Sequence, residues 1–213
     1  MNIGILSLQG NFIQHQKVLE GLRIASLNTV LIKNKATLTQ YHYDGFIIPG
    51  GESSTMLHLL EKQDMRSLLY SLIKTSKTPT LATCAGLIIL SSTITSDKHD
   101  AHSPQTHTLG IVNISIERNA FGRQVDSFIA TLPFTSPAHQ GTYTTMPNTI
   151  TGLFIRAPTI VSIPESAQVL ARYKNSPVIM KDSNVLLSTF HPEALYDGTL
   201  HAYFIATMVM RNN

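Results

Sequence analysis

Residues 80–90 read TLATCAGLIIL, an apolar β-type run that passes through Cys84 into a helical pattern. Small residues, Ala82 and Gly86, stand two positions before and after the cysteine. This spacing is typical of a nucleophile elbow, a sharp strand-to-helix turn that lifts a side chain out of the sheet. A helix N-terminus behind the thiol favours the thiolate. The stretch therefore predicts a strand that ends, and a helix that begins, at Cys84; a buried, inert core cysteine is the alternative.

The rest of the first half alternates short apolar runs with helical patterns. Apolar strands that lack clean alternation, and that are separated by helices, indicate a parallel sheet covered on both faces. Right-handed crossovers would make such a sheet doubly wound. The predicted fold class is thus α/β, with three α/β/α layers around a mostly parallel central sheet. The predicted strands are 2–8, 29–32, 45–49 and 80–83. The helical patterns are 12–27, 54–76, which can be one helix or two, and 86–90.

The second half is richer in short β-type runs bounded by turns. These predict antiparallel extension strands rather than another domain, so residues 1–213 are expected to form one domain without an interdomain linker. Polar stretches at 96–108 and 135–151 are interpreted as surface loops. The predicted strands are 109–116, 127–132, 153–155, 168–173, 178–180 and 185–190, and a last helix is expected at 199–210.

The composition of the 213-residue chain excludes several classes of protein. With 43% hydrophobic and 14% charged residues, it is neither disordered nor a coiled coil. One cysteine allows no intramolecular disulfide and no multi-thiolate zinc site. The net charge of +3 reflects few acidic residues, and no cluster of lysine and arginine indicates nucleic-acid binding.

The sequence also bears on localisation. The N-terminal residues lack the basic and long apolar regions of a signal peptide. No apolar run approaches the ~20 residues of a membrane span. We therefore expect a cytoplasmic protein that has no membrane partner.

A histidine and a glutamate follow the last predicted strand. The run 185–190 ends in His191, and Pro192 separates this residue from Glu193. An imidazole at a strand end can act as base to a thiol, and a carboxylate can hold its tautomer. The pattern favours a Cys84–His191–Glu193 triad, with a solvated histidine and glutamate on a loop as the alternative. The other eight histidines are interpreted as surface or structural residues, and the trio His99, His102 and His107 matches no tight metal site.

A glycine-rich turn, PGGESST at 49–55, joins a predicted strand to a predicted helix. Gly50 and Gly51 allow the backbone to approach a ligand closely, and the serine and threonine residues can cap the helix. The turn is not a phosphate loop, because no GK[ST] follows it. Glu52 argues for a ligand with an amino group or amide rather than an anion. A simple β-to-α turn with a capping box is the alternative.

Six motifs occur in an order that resembles a known family. The chain is similar to class I, triad-type glutamine amidotransferases and, among them, to the glutaminase subunits of pyridoxal 5′-phosphate synthases. ERNAFGRQVDSF and FIRAP are specific to those subunits within the class. The motifs are SLQG (7–10), PGGESST (49–55), TCAGLIIL (83–90), ERNAFGRQVDSF (117–128), FIRAP (154–158) and FHPE (190–193).

This resemblance implies a flavodoxin-like fold and a set of site residues. Cys84 would be the nucleophile, His191 its base and acid, and Glu193 the carboxylate that orients His191. Arg118 would pair with the α-carboxylate of glutamine, as a bidentate guanidinium can. The remaining implied residues are Gly50, Gly51 and Glu52 along the glutamine site, the amides of Gly51 and Ala85 as oxyanion donors, and the backbone of Ile155 and Arg156 as substrate contacts.

The resemblance further implies an activity and a partner. The chain would hydrolyse L-glutamine through a cysteine thioester and deliver ammonia to a (β/α)8-barrel synthase subunit that makes pyridoxal 5′-phosphate. It would need no metal or organic cofactor of its own. A triad amidotransferase that serves another synthase, and a thiol or regulatory protein of the same fold without glutaminase activity, are the alternatives.

Overall fold

The computed structural model describes residues 1–97, 107–135 and 147–210. Most of the two predicted polar loops, 96–108 and 135–151, lies outside the described residues. The strands are β1 (Asn2–Leu6), β2 (Asn28–Ile32), β3 (Gly45–Ile48), β4 (Thr80–Thr83), β5 (Ser91–Asp97), β6 (Val112–Arg118), β7 (Phe128–Pro133), β8 (Thr149–Phe154), β9 (Thr159–Ser162), β10 (Gln168–Tyr173), β11 (Ser176–Asp182) and β12 (Val185–Ser188).

In the described ranges, six α-helices accompany these strands, and two of them continue as a π-helical turn. Glu193–Leu195 and Gln124–Asp126 form short 3₁₀ turns. None of the helices in the described part of the chain is long and apolar enough to cross a membrane. The helices are α1 (Phe12–Gly21), α2 (Lys35–Gln40), α3 (Ser53–Lys62), α4 (Arg66–Tyr70, then π to Thr75), α5 (Ala85–Leu90) and α6 (Thr199–Phe204, then π to Val209).

A seven-stranded sheet in the order β10-β11-β12-β4-β3-β1-β2 forms the centre of the fold. The five strands from β12 to β2 pair in parallel, while β10 and β11 extend the sheet in antiparallel fashion. Two small sheets, β5-β6-β9 and β7-β8, lie outside it. The predicted mostly parallel sheet with antiparallel extensions is therefore confirmed.

Two apolar cores lie on the opposite faces of this sheet, as three layers require. On one face, buried side chains of α2, α3, α4 and α5 pack together with those of β6, and the partly buried Ile94 of β5 packs against them. On the other, buried side chains of α1 and α6 pack with those of β7 and β8. Along β3 the side chains alternate between these cores, since Phe46 and Ile48 belong to the first and Ile47 to the second. This alternation follows from the two-residue period of a strand.

Several predicted element bounds are wrong. The first helix ends at Gly21 rather than near residue 27, because Arg23 and Ser26 adopt positive φ (51° and 65°) and turn the chain back. The pattern over 54–76, which allows one helix or two, forms two, since Asp64 takes a φ of 52° between them. The strand expected at 109–116 runs from Val112 to Arg118 instead. Short or polar elements gave too weak a pattern and were not predicted, namely α2, β5 and β9.

Candidate active site

Cys84 occupies a strained strand-to-helix turn. β4 ends at Thr83, α5 begins at Ala85, and Cys84 between them has φ 46° and ψ −105°. A non-glycine residue rarely takes a positive φ, and such strain concentrates at functional sites. Gly86 is required here, because a Cβ at that position would lie 2.2 Å from the carbonyl oxygen of Ile48. The structure thus has the elbow that the spacing of small residues predicts.

His191 and Glu193 lie at the end of the neighbouring strand, β12. Nδ1 of His191 donates to Oε1 of Glu193 at 2.7 Å. Backbone hydrogen bonds between His191 and Leu153, of 3.0 and 3.2 Å, fasten this segment to β8. Since Nδ1 carries the proton towards the carboxylate, Nε2 has the lone pair that can accept a proton from a thiol.

Burial and charge define the electrostatics of this pair. His191 is 5% exposed and Glu193 is fully buried, which excludes a solvated pair on a loop. Burial opposes the charge of His191, but the neighbouring Cys84 thiolate and the Glu193 carboxylate outweigh it and raise the pKa of His191 well above its usual value. Burial also opposes the charge of Glu193, yet His15 and His191 lower its pKa to about 2. The carboxylate is therefore ionised at neutral pH.

The glycine turn lies directly against this pair. The amide of Gly50 donates to Oγ1 of Thr83 at 3.1 Å, and its carbonyl accepts from the amide of Asn11 at 3.0 Å. Gln9 accepts from the amide of Glu52 at 2.8 Å, and Gly10 approaches the Gly50 carbonyl so closely that a Cβ would lie 2.0 Å from it. The N-terminal SLQG motif therefore holds the glycine turn in place.

Glu52 caps helix α3, which differs from the expectation that serine and threonine side chains would do so. Its carboxylate accepts from the amides of Ser54 at 3.2 Å and Thr55 at 2.5 Å. Partial burial raises the pKa of this carboxyl, but the hydrogen bonds from Thr55 and Ser54 and the charge of Arg118 outweigh burial and lower it. The hydroxyls of Ser53 and Ser54 instead accept from Nη2 of Arg118, the latter at 3.1 Å.

A cleft of about 790 Å³ opens over Cys84 and His191. Of the predicted site residues, Gly50 and Glu193 do not line this cleft and lie behind its wall. The lining combines amides, hydroxyls and three arginines and is more polar than apolar, which suits a small polar ligand. The lining residues are Gln9, Asn11, Gly51, Glu52, Ser53, Ser54, Cys84, Ala85, Ile88, Arg118, Asn119, Arg123, Gln124, Ile155, Arg156 and His191.

The structure adds a pair of buried histidines that were treated only as surface or structural residues. His15 on α1 and His201 on α6 are both fully buried, and Nδ1 of His15 lies 2.8 Å from Nε2 of His201. Nε2 of His15 lies 3.2 Å from Oγ1 of Thr83 and 3.5 Å from Oε1 of Glu193. His15 occupies the buried face of α1 together with Val18 and Leu19, and this helical spacing is the signal that could have singled it out.

Among the described residues, no group of three His, Cys, Asp or Glu side chains could hold a metal ion. His99 and His102 of the predicted loop trio lie outside the described residues.

A cysteine elbow and a strand-end histidine–carboxylate pair on a doubly wound sheet are features of the α/β class of glutamine amidotransferases. The chain belongs to the SNO glutamine amidotransferase family, whose sequence model matches residues 5–210. The resemblance found in the sequence motifs is thereby confirmed.

Named relatives agree with this assignment. The chain is 36% identical over 204 residues to pyridoxal 5′-phosphate synthase subunit PdxT of Francisella tularensis subsp. tularensis (strain WY96-3418), covering 96% of the chain and 97% of the relative. It is 36% identical over 205 residues, with the same coverage, to that subunit of Thermosipho africanus (strain TCF52B).

Solved structures support the fold. A crystal structure of a glutamine amidotransferase matches with a TM-score of 0.79 and 33% identity, over 96% of this chain and 97% of that one. A glutamine amidotransferase from Thermotoga maritima matches with a TM-score of 0.56 and 12% identity, over 97% and 81% of the two chains. This second likeness concerns the fold alone.

Proposed function

We propose that the chain is the glutaminase subunit of a pyridoxal 5′-phosphate synthase, which hydrolyses L-glutamine and passes the ammonia to a synthase subunit. The observation that supports it most is the strained elbow of Cys84 beside His191, whose Nδ1 is held by the buried Glu193. The family and the PdxT relatives point to the same activity.

Substrate binding follows from the walls of the cleft. The guanidinium of Arg118, fixed by Ser53 and Ser54, supplies positive charge for the α-carboxylate of glutamine. Glu52 lies at the N-terminus of helix α3, and its ionised carboxylate can pair with the α-amino group. Ile155 and Arg156 also line the cleft, and their backbone would contact the bound substrate. These contacts would place the side-chain amide over Cys84.

The chemistry proceeds by nucleophilic catalysis. The Cys84 thiolate attacks the carboxamide carbon, and the amides of Gly51 and Ala85 donate to the resulting oxyanion. Ala85 is the first residue of α5, so its amide has no acceptor within the helix. Protonated His191 gives its proton to the leaving nitrogen, which departs as ammonia and leaves a γ-glutamyl thioester. His191 then takes a proton from water, which attacks the thioester and releases glutamate and the thiolate.

The partner of this subunit would be the synthase that consumes the ammonia. The printed name of the relatives describes a subunit of a synthase. The resemblance of the motifs implies that the partner is a (β/α)8 barrel. We place the complex in the cytoplasm, as the sequence predicts.

Glutamate and ammonia release with and without the synthase subunit tests this function. We expect the wild-type chain to hydrolyse glutamine when the synthase is present, and Cys84→Ala to lose at least ~10³-fold of that rate. His58 on α3 gives a control, because it is exposed and lies outside the cleft, so His58→Gln should keep the activity. Activity of Cys84→Ala near that of the wild type would exclude the mechanism.

The alternative amidotransferase reading is tested by exchanging the synthase. A glutaminase that serves another synthase would support ammonia transfer to that enzyme and form no pyridoxal 5′-phosphate with the proposed partner. A thiol protein without glutaminase activity would leave Cys84 unmodified by a glutamine-analogue electrophile at concentrations at which a glutaminase reacts.

A further inference from the structure

The two buried histidines take no part in the mechanism above. His15 and His201 come from helices that are far apart in the sequence, α1 and α6, and both are fully buried. Burial lowers the pKa of His15, and it lowers the pKa of His201 to about 3, so both rings are neutral at pH 7. A buried neutral imidazole has one N–H and one lone pair, and each needs a suitable partner.

The ionised carboxylate decides which nitrogen of His15 carries the proton. Nε2 of His15 faces Oε1 of Glu193 at 3.5 Å and Oγ1 of Thr83 at 3.2 Å. A lone pair directed at a buried carboxylate would be repelled, whereas an N–H is attracted. With the proton on Nε2, Nδ1 becomes an acceptor, and Nε2–H of His201 donates to it across 2.8 Å. His201 therefore holds the tautomer that His15 needs.

Thr83 connects the same histidine to the glycine turn. Its Oγ1 accepts from the amide of Gly50 at 3.1 Å and lies within reach of Nε2 of His15. Gly50 precedes Gly51, whose amide is a proposed oxyanion donor. One imidazole thus contacts both the carboxylate that orients His191 and the hydroxyl that supports the glycine turn.

From these contacts we infer that His15, held in its tautomer by His201, is a positioning residue that aligns Glu193 and, through Thr83, the Gly50 peptide. The inference rests on the proposed glutaminase function, but the contacts of His15 with Glu193 and Thr83 do not depend on the substrate. His15 does not line the cleft, so it acts through other residues and not on glutamine. Its loss should therefore lower kcat and leave KM little changed.

The pH dependence of Cys84 alkylation should depend on the same alignment of Glu193 with His191. The groups that face Glu193 are His191 beside it, His15 on α1 and, behind His15, His201 on α6. When Glu193 loses the His15 contact, it holds the protonated imidazole of His191 less well. That imidazolium faces Cys84, so the pH profile of Cys84 alkylation should move to higher pH.

The experiment compares His15→Leu with His15→Gln in the full chain. Leucine removes both nitrogens at similar volume, while the glutamine amide restores an N–H near the position of Nε2. His58→Gln, at an exposed position of α3, is the control. For each variant, kcat and KM for glutamine are measured with the synthase subunit, and the rate of Cys84 alkylation by iodoacetamide is measured against pH.

We expect His15→Leu to lose about 10- to 100-fold in kcat, the cost of a charged hydrogen bond removed, with KM within about 3-fold. Its alkylation midpoint should move to higher pH, and His15→Gln should recover most of both effects. If His15→Leu keeps the wild-type kcat and alkylation profile, or if the two variants lose equally while both remain folded, the positioning role is wrong.

A variant of His201 tests the same inference, and it can be used if His15→Leu fails to fold. His201→Phe should shift kcat and the alkylation midpoint in the same direction by a smaller amount, and it should have no further effect when added to His15→Gln. Unchanged values in His201→Phe would overturn the inference. Failure of the proposed function is distinguishable, since the wild type would then release no glutamate while the alkylation profile still responds to His15.

Discussion

Gly50 lies against the imidazole of His191. A Cβ at position 50 would lie 2.1 Å from Cε1 and 2.7 Å from Nδ1 of His191, and 3.2 Å from Cβ of Cys84. Real Cβ atoms do not approach this closely, because packing in protein interiors leaves no such overlap. The glycine turn therefore fixes the position of His191 by direct contact, and no other amino acid fits at position 50.

Gly50→Ala is expected to displace His191 and to lower glutaminase activity at least ~100-fold, because small displacements of catalytic groups have effects of this size. Gly21→Ala is the matched control. A Cβ there meets nothing within 4 Å, and alanine favours the helix. Steady-state kinetics with the synthase subunit measure both variants. Equal activity of the two would show that the contact with His191 does not matter.

Thr83→Val should lower kcat about 5- to 100-fold, because it leaves the amide of Gly50 without its acceptor in a buried place. Thr83→Ser keeps the hydroxyl and should retain activity within a few-fold. The comparison of kcat in the two variants checks the prediction, and thermal unfolding shows whether both are folded. A serine variant as slow as the valine variant would contradict the prediction, because it would show that the hydroxyl alone does not account for the role of Thr83.

Arg118→Lys should raise KM for glutamine by about 10- to 100-fold and change kcat less, because lysine cannot form the planar pair with a carboxylate. Arg172→Lys is the control, since Arg172 is exposed on β10 and its Nη1 donates to the carbonyl of Asn175. Initial rates over a range of glutamine concentrations separate the two constants. A fall in kcat alone would place Arg118 away from the bound substrate.

The folded chain should lose stability as the pH falls below about 6.5. The pKa values of His15 and His201 are lowered in the folded chain, so below pH 6.5 the unfolded chain binds protons that the folded chain does not bind. Each histidine therefore lowers the free energy of unfolding by about 1.4 kcal/mol for each pH unit of acidification. Below pH 4.5 the lowered pKa of Glu193 adds a third contribution, which continues to about pH 2. The raised pKa of His191 acts in the opposite direction, stabilising the fold at low pH and losing that contribution as pH rises through it.

Urea unfolding at pH 7, 6, 5 and 4 measures this dependence. His201→Phe removes one titrating group and should make the decline between pH 6 and 4 shallower by about 1.4 kcal/mol per pH unit. His58→Gln should keep the wild-type slope, because His58 is exposed. An unchanged slope in His201→Phe would mean that His201 is not the neutral, buried group described above.

The elbow could be predicted because its causes are local. A strand that runs into a helix at Cys84 needs small neighbouring residues. Gly86 is one of them, because the carbonyl of Ile48 leaves no room for a Cβ at that position. The same holds for the parallel sheet, because β1, β3 and β4 are short runs that are buried along almost their whole length. Helix ends were harder to predict, because a residue such as Arg23 takes a positive φ that its residue type does not indicate.

Some hydrogen bonds of the site cannot be predicted from any local sequence pattern. Nothing in its neighbourhood shows that Glu52 caps α3 while the hydroxyls of Ser53 and Ser54 accept from Arg118 of β6. That exchange of partners arises only when β6 is brought over the start of α3. Long-range hydrogen bonds of this kind depend on the packing of elements and not on their own sequences.

The sequence by itself determined the family, the layered α/β architecture and the identity of Cys84, His191 and Glu193 as candidates, since spacing and residue type carry these. The tertiary structure alone decided that α1 and α6 pack on the same face of the sheet, which brings His15 and His201 together behind Glu193. A buried polar group is specified by its partners, and partners 186 residues apart meet only in the folded chain.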